Sequence, residues 1–211
     1  MKKLRNAAAL LLILGLALKF KHYPGGSVSL IIGAFSLGVF GFIEFGRNLN
    51  KNLSLSFLNL SMGILCISLL FRVQFYPGAL TLFYVGLLSS IAWLILMVGN
   101  QVKPKIRDGI MLVFVGFCIW LSFVPTHKVH YFVSMTEFLN SEYRDKDYWG
   151  WDKQSWFLYL DEKYEEAEEA NNKALRAIEL HKNGIPFSEP EMEVMINLHG
   201  EKIKSRTWDT F

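Results

Sequence analysis

The sequence predicts an all-α fold: a polytopic membrane helix bundle of about five spans, built from two repeated helical hairpins plus one helix and followed by a soluble helical tail. The tripeptide Tyr-Pro-Gly occurs at 23–25 and again at 76–78, each time between two apolar segments. Charge also divides the chain, because residues 1–125 hold eleven of the 22 Lys and Arg but two of the 19 acids. Residues 126–211 therefore carry eleven cations and seventeen acids, a net charge of −6. We expect a transmembrane domain over 1–125 and a soluble, helical domain over 126–211.

Five apolar segments are the predicted spans, at 7–20, 27–45, 57–71, 79–98 and 109–125. A helix needs about 20 apolar residues to cross a bilayer, with a range of about 17–25. The first and third segments are shorter, but each ends at a long cation, Lys19 or Arg72, whose charge can reach the lipid headgroups. We therefore count both segments as spans.

The first segment also has a second interpretation. Three cations among the first five residues, followed by the apolar run 7–18, are typical of a secretory signal peptide. The small residues Gly15 and Ala17 could serve as its cleavage site. We favour retention, because the segment has a counterpart in the second copy of the repeat and the repeated motif continues beyond Ala17.

The cations beside the spans predict the orientation, because cytoplasmic loops are enriched in Lys and Arg. The N-terminus and the loops after the second and fourth segments hold eight cations, against four on the other side. We expect a multi-pass protein of the bacterial inner membrane with a cytoplasmic N-terminus. Five spans then place the tail in the periplasm, and the loss of one span would reverse the side of the tail.

Each Tyr-Pro-Gly predicts a tight turn between antiparallel helices at the membrane interface. Proline disfavours helix in the residue before it, glycine tolerates a left-handed backbone, and tyrosine suits the interface. The alternative is a contact site for a neighbouring subunit. Small residues in the second and fourth segments predict close helix packing, within the chain or between protomers; they are Gly33, Ser36, Gly38, Gly41, Gly86, Ser89 and Ser90.

The stretch 18–26, Leu-Lys-Phe-Lys-His-Tyr-Pro-Gly-Gly, resembles the N-terminal region of the GldL-like family. In that signature a Lys is followed three positions later by a His and then by an aromatic residue, Pro and Gly, which match Lys19, His22 and Tyr23 here. The second copy is a weaker match, with Arg72 in place of the Lys. The resemblance implies a shared hairpin in the inner membrane of a Bacteroidota-type cell, where GldL is a subunit of the gliding and type 9 secretion motor.

Ionisable residues in or near the spans are candidate functional residues, because a charge inside a membrane needs a reason. They are Lys19, His22, Glu44 and Arg72. The resemblance also implies a glutamate in the second helix, but this chain has Leu37 there and Ser90 in the second copy. We expect Glu44 to pair with Arg47 three residues on, with an ion-coupling role as the alternative.

The tail predicts several helices. Val129–Tyr143 has the apolar periodicity of an amphipathic helix. Further on, Trp151, Tyr164, Ala167 and Ala174 resemble one tetratricopeptide repeat, although Asn171 replaces an aromatic and Ser155 a glycine. One repeat needs neighbours to bury its core, and Ser188–Lys204 offers a further helix with Ser188 as N-cap and Glu191 three residues on. The candidate interaction residues are Trp151, Trp156 and Tyr164.

Composition and motifs disfavour two classes of function, nucleic-acid binding and catalysis by a recognisable motif. An acidic tail disfavours nucleic acid as a partner, and no phosphate loop, nucleophile elbow or zinc-protease motif is present. We expect a non-enzymatic protein with no cofactor and no metal site that anchors or scaffolds a membrane complex through its helical tail. Its partners would be the lipid bilayer and other membrane or envelope proteins, including a second copy of itself. The alternatives are a GldL-like ion-conducting or energy-transducing motor subunit and a membrane enzyme or carrier with a buried polar pocket.

Overall fold

The computed structural model describes residues 2–21, 23, 25–184 and 190–208. The side chains of residues 2, 136, 137, 181–184 and 190 are not part of that description. His22 and the predicted N-cap Ser188 therefore lie outside the described residues. Within the described part, every regular element is helical and no strand is present.

The chain forms nine α-helices in its described part, with one short 3₁₀ turn at Arg144–Lys146. It divides into two compact units, residues 1–130 and residues 131–211. The helices are α1 (Lys2–Phe20), α2 (Gly26–Asn48), α3 (Leu53–Val73), α4 (Ala79–Gly99), α5 (Ile106–Ser122), α6 (Thr126–Asn140), α7 (Tyr148–Leu160), α8 (Tyr164–Gly184) and α9 (Pro190–Ser205).

In the first unit, helices that follow one another in the chain pack side by side. α1 packs on α2, α2 on α3 and α3 on α4, while α5 contacts α3 and α4. α3 is the central helix and the most buried of the three long apolar ones. Its buried Leu58 and Leu65 pack with Phe83 and Trp93 of α4 and with Met111 of α5.

The two Tyr-Pro-Gly turns have the same backbone hydrogen bonds at an offset of 53 residues. The N–H of Tyr23 donates to Leu18 O at 2.9 Å, and the N–H of Tyr76 donates to Phe71 O at 2.8 Å. In each turn the glycine, Gly25 or Gly78, caps the next helix with a φ of 85° or 82°. That left-handed conformation costs glycine little, which explains why the tripeptide ends in this residue.

The helix interfaces of the two hairpins are also in the same register. Gly33 of α2 lies against the backbone of Leu12 in α1, and the corresponding Gly86 of α4 lies against the side chain of Leu65 in α3. A methyl group at Gly33 would overlap the backbone nitrogen of Leu12, whereas one at Gly86 would lie 2.7 Å from Leu65 Cδ2. The first hairpin is therefore packed backbone against backbone, and the second is packed through a side chain.

The small residues of the apolar segments pack within the chain. Gly41 faces the carbonyl of Asn59 in α3, and Gly63 of α3 lies against Gly38 and Gly41 of α2. Between α3 and α4 the hydroxyl of Ser61 donates to Gly86 O at 3.1 Å and also contacts Ser90. Interhelical hydrogen bonds of this kind hold helices together where no hydrophobic driving force acts between them.

Three helices, α2, α3 and α4, are long and apolar enough to cross a membrane, which indicates a membrane protein. The bent pair formed by α5 and Thr126–Met135, with an angle of 100°, would be a fourth span if it counted as one. α1 contains Lys2, Lys3, Arg5 and Lys19, and α5 is 17 residues long. The expectation of five spans therefore stays a prediction. The two helices outside the three long apolar ones are α1, which carries four cations, and α5, which is short.

The second unit is built on close packing of α7 and α8. Ala167, Ala170, Ala174 and Ala177 of α8 are all buried, and Ser155 of α7 is fully buried where the resemblance implies a glycine. α9 packs on α8 through Met192 and Ile196. α8 ends at Gly184.

We predict that Gly33→Ala destabilises the protein more than Gly86→Ala, and that Gly116→Ala does not destabilise it. Overpacking costs about 1–3 kcal/mol, and 1 kcal/mol shifts the melting temperature of a domain this size by about 2–4 °C. Thermal unfolding in detergent, followed by fluorescence-detected size exclusion, should give Gly33→Ala a melting temperature roughly 3–10 °C below that of the wild-type protein.

Gly116 is the matched control because it is a helical glycine of α5 with open space around it. Equal melting temperatures for the Gly33 and Gly116 variants would contradict the backbone contact between α1 and α2.

Candidate functional site

The charged residues of the first unit, with Gln74 beside them, lie at the two ends of its helices. The end with both Tyr-Pro-Gly turns holds Lys19, Gln74 and Arg72, and the opposite end holds Glu44 and Asp108. The positions follow from the up-and-down helix order, because α1 and α3 finish where α2 and α4 begin.

Lys19 lies in the last turn of α1 and joins the two hairpins. Its Nζ donates to Ser27 Oγ at 2.9 Å in α2 and to Gln74 Oε1 at 3.4 Å after α3. Gln74 stands at the position of the second copy that corresponds to Lys21. Lys19 therefore contacts polar partners in the chain, in addition to its predicted position near the headgroups.

Arg72 differs from the expected snorkelling anchor. Its side chain is buried, with the residue 3% exposed, and its guanidinium points into the unit. Nη1 donates to Leu121 O at 2.6 Å and Nη2 donates to Val124 O, both at the carboxyl end of α5. The last carbonyls of a helix have no partner within it, and a cation there also complements the helix dipole. Arg72 thus caps α5.

His130 completes the contacts of the α5–α6 bend with α3. Its Nδ1 lies 2.8 Å from Val73 O, as a donor to that carbonyl, and its ring lies 5.8 Å from the ring of Phe75. Val73, which follows Arg72 in the sequence, therefore accepts a hydrogen bond from α6. Both sides of the bend are held by one end of α3, an arrangement that the sequence did not reveal.

Glu44 pairs with Arg47, as its i,i+3 spacing predicts. The distance from Glu44 Oε1 to Arg47 Nη1 is 3.6 Å, and Asn48 Nδ2 donates to the other carboxylate oxygen at 3.2 Å. The Arg47 side chain is 59% exposed, so the pair contributes little stability. Glu44 therefore has its partners within its own helix.

Asp108 is the buried acid of this unit. It lies in the first turn of α5, where Oδ2 accepts from the N–H of Lys105 at 2.8 Å and Oδ1 accepts from Arg107 Nη2 at 2.9 Å. A carboxylate at the amino end of a helix is favourable because it satisfies a free N–H and complements the dipole. Asp108 thus caps the amino end of α5, and Arg72 caps its carboxyl end.

In the second unit, Trp151 is part of the packing between helices. Its ring meets Phe138 of α6 edge-on at 5.2 Å. Two cations lie over the ring, with Lys173 Nζ at 4.8 Å and Arg144 Cζ at 5.5 Å from its centre. These contacts hold Trp151 within the unit, and its role in binding a partner stays a prediction.

The other two candidate interaction residues also have partners within the unit. Trp156 packs on Phe157 with ring centres 4.9 Å apart. Tyr164, at the start of α8, meets Tyr159 edge-on at 5.5 Å, and Arg206 lies over its ring at 4.6 Å. All three aromatics therefore contribute to the cohesion of the tail.

Asn171 stands where the tetratricopeptide pattern has an aromatic residue, and the structure shows what its amide contacts. It is buried, and its Nδ2 donates to Ile196 O of α9 at 2.9 Å. Its side-chain oxygen faces Gly200, where a β-carbon would lie 2.5 Å away. The amide thus joins α8 to α9 at the position where the repeat family usually has an aromatic residue.

A second polar contact of the tail was not visible in the sequence. His199 Nδ1 lies 2.9 Å from Oδ1 of the buried Asp152, and Trp208 stacks on the imidazole with ring centres 4.4 Å apart. The N–H of Trp208 donates to the hydroxyl of Tyr159 at 3.1 Å. The 47-residue separation between Asp152 and His199 gave no local signal, and the ring stacked on the imidazole makes the pair a structural clasp for the end of the tail.

Comparison with family models, with curated proteins and with solved structures found no match to this chain. The resemblances to GldL-like and tetratricopeptide proteins therefore stay interpretations of the residues that carry them.

We predict that Arg72→Leu loosens the α5–α6 bend while α1 and α2 are unaffected. Two carbonyls lose their donor, one at a buried contact and one at a partly buried contact, and an unsatisfied buried polar group costs about 1–3 kcal/mol. Hydrogen exchange of the detergent-solubilised protein should show about a fivefold or greater increase in rate over 118–130. Arg47→Leu, which removes an exposed cation, is the control, and equal exchange in both variants would contradict the cap.

We predict that Asn171→Ala destabilises the tail and that Asn172→Ala does not, since Asn172 is exposed on the same helix. Loss of the bond to Ile196 O should lower the free energy of unfolding of the tail by about 1–3 kcal/mol. Pulse proteolysis of the tail in urea, with the full chain in detergent, measures the difference. Equal urea midpoints for the two variants would show that Asn171 does not join α8 to α9.

Proposed function

We propose that the chain is a non-enzymatic integral inner-membrane protein that anchors or scaffolds a membrane complex through its helical tail. The membrane part of this proposal is supported by α2, α3 and α4 and by the apolar outer surface of the first unit. Leu88 and Ile95 of α4 and Val113 of α5 are 65–75% exposed. Such surfaces are stable in lipid and would drive association in water.

One observation supports the scaffold role of the tail: α9 exposes apolar side chains opposite its buried face. Met192 and Ile196 are buried against α8, whereas Val194 is 70% exposed and Leu198 46% exposed. Helical repeats bury such faces by stacking on a further helix pair. A partner helix on α9 would continue the stack that α7 and α8 begin.

The proposed orientation has the N-terminus in the cytoplasm and the tail in the periplasm. An odd number of crossings, three or five, puts the tail on the side opposite the start of the first span. Counting the α5–α6 pair as one additional crossing would give four with α2, α3 and α4, and the sides would then coincide. Cysteine-accessibility labelling at an exposed tail position such as Asn172 decides between them.

The GldL-like motor alternative has weaker support. It rests on the stretch 18–26, and α2 has Leu37 where the family pattern places a glutamate. The acid that α2 does carry, Glu44, is paired with Arg47 near the end of the helix. A shared hairpin in a Bacteroidota-type membrane remains the part of the resemblance that we propose for this chain.

We predict that the wild-type protein, extracted in mild detergent from its native membrane, migrates as a complex larger than the detergent-bound 24.3 kDa chain. Val194→Asp with Leu198→Asp should convert most of it to the monomer, because two charges on an apolar contact face each cost several kcal/mol when desolvated. Blue native electrophoresis measures the shift.

Glu201→Gln is the control, since it changes an exposed residue of the same helix. Migration of the wild-type chain as a monomer alone would refute the scaffold proposal.

A further inference from the structure

A cavity in the first unit lies between α1, α2, α3 and α5. It has a volume of about 450 Å³ and a predominantly apolar lining. The cavity lies at the end of the helices that also holds Glu44 and Asp108, away from the Tyr-Pro-Gly turns. Neither the hairpin repeat nor the tail explains it.

The charged residues of the lining, Arg5, Glu44 and Arg107, are each nearer one end of the bundle than the apolar lining residues of their own helices. On α1, Arg5 precedes Ala9, and on α5, Arg107 precedes Met111. Because both helices begin at this end, their cations lie at the mouth and their apolar residues lie about one turn deeper.

α2 has the same polarity, because it runs toward this end and presents Leu37 before Glu44. α3 runs away from this end and presents Leu58 ahead of Asn59 and Met62, so its wall is apolar with one amide in it. Three of the four walls therefore change from charged to apolar in the same direction, along the axes of the helices.

The charges at the mouth favour an anion. Arg5 has no hydrogen-bond or ion-pair partner among the described residues. Arg107 donates to Asp108 through Nε and Nη2, which leaves Nη1 for another acceptor. The carboxylate of Glu44 is already bound by Arg47 and Asn48. The amide of Asn59 also has no partner in the described part and can donate to an oxygen.

We propose that this cavity binds one phospholipid of the surrounding bilayer, with its phosphate between Arg5 and Arg107 and an acyl chain along the apolar walls. Arginine binds phosphate oxygens in a planar, charge-assisted geometry, and basic pockets between membrane helices suit lipid headgroups. The inference rests on the membrane placement proposed above.

A second copy of the chain fits the cavity less well. The exposed faces of α4 and α5 present Leu88, Ile95 and Val113. These side chains could cover the apolar walls, but they bring no anion to Arg5. A phospholipid satisfies both the cation at the mouth and the apolar depth.

Native mass spectrometry of the delipidated full chain tests the proposal, with dioleoylphosphatidylglycerol as the probe. We expect one saturable lipid per monomer, and about tenfold weaker binding of dioleoylglycerol, which lacks the phosphate. Arg5→Gln with Arg107→Gln should weaken phosphatidylglycerol binding about tenfold and leave dioleoylglycerol unchanged. Ala9→Phe, which fills the cavity, should weaken binding of both lipids.

Lys51→Gln with Lys103→Gln is the matched control, because it removes two exposed cations of the same end that do not line the cavity. Equal loss in the control and in the arginine pair would overturn the site, since the effect would then be a general attraction of charge. Absence of saturable lipid on the wild-type chain, or lipid found on dimers alone, would also overturn it. Both arginines are exposed at the mouth, so their replacement tests the site even if Ala9→Phe does not accumulate.

This result is separable from the scaffold proposal. A chain that forms its complex on blue native gels and binds no lipid refutes the cavity inference alone. A chain that binds the lipid and migrates as a monomer refutes the scaffold alone.

Discussion

The backbone of α2 lies directly against the backbones of α1 and α3, and glycine makes both contacts possible. Gly33 meets Leu12 on one side, and Gly41 meets the carbonyl of Asn59 on the other. Apolar side chains gain little by leaving lipid for another helix, so association in a membrane depends on close packing and hydrogen bonds. These close approaches hold α1, α2 and α3 side by side.

A second constraint acts where α5 ends and the chain bends into α6. Carbonyls freed at such a bend need donors, because the last carbonyls of a helix have no partner within it. Arg72 supplies two donors and His130 returns a hydrogen bond to Val73, so the end of α3 holds both sides of the bend. Lys19 and Arg72 occupy corresponding positions of the two hairpins but bind different groups, because the helices beside them differ. Lys19 in the first copy binds Ser27 and Gln74, whereas Arg72 in the second has α5 beside it.

The two units expose surfaces of different chemistry. The first presents apolar surface around its helices and a cavity with cations at its mouth, which suits lipid. The second packs Trp151 against Phe138 within its own helices and leaves α9 with an apolar outer face. The two proposals therefore rest on different units, the lipid site on the first and the helical partner on the second.

Local sequence determined the helices, the turn chemistry and the register of the repeat. Tyr-Pro-Gly set both turns because proline and glycine act through their own backbone, and the i,i+3 spacing of Glu44 and Arg47 suffices for their ion pair. Tertiary structure alone decided the burial of Arg72, the clasp of Asp152 with His199, and the bond from Asn171 to α9. Each of these joins residues 25 or more positions apart. Such pairings depend on which helices become neighbours, and helix periodicity says which face is apolar without saying which partner covers it.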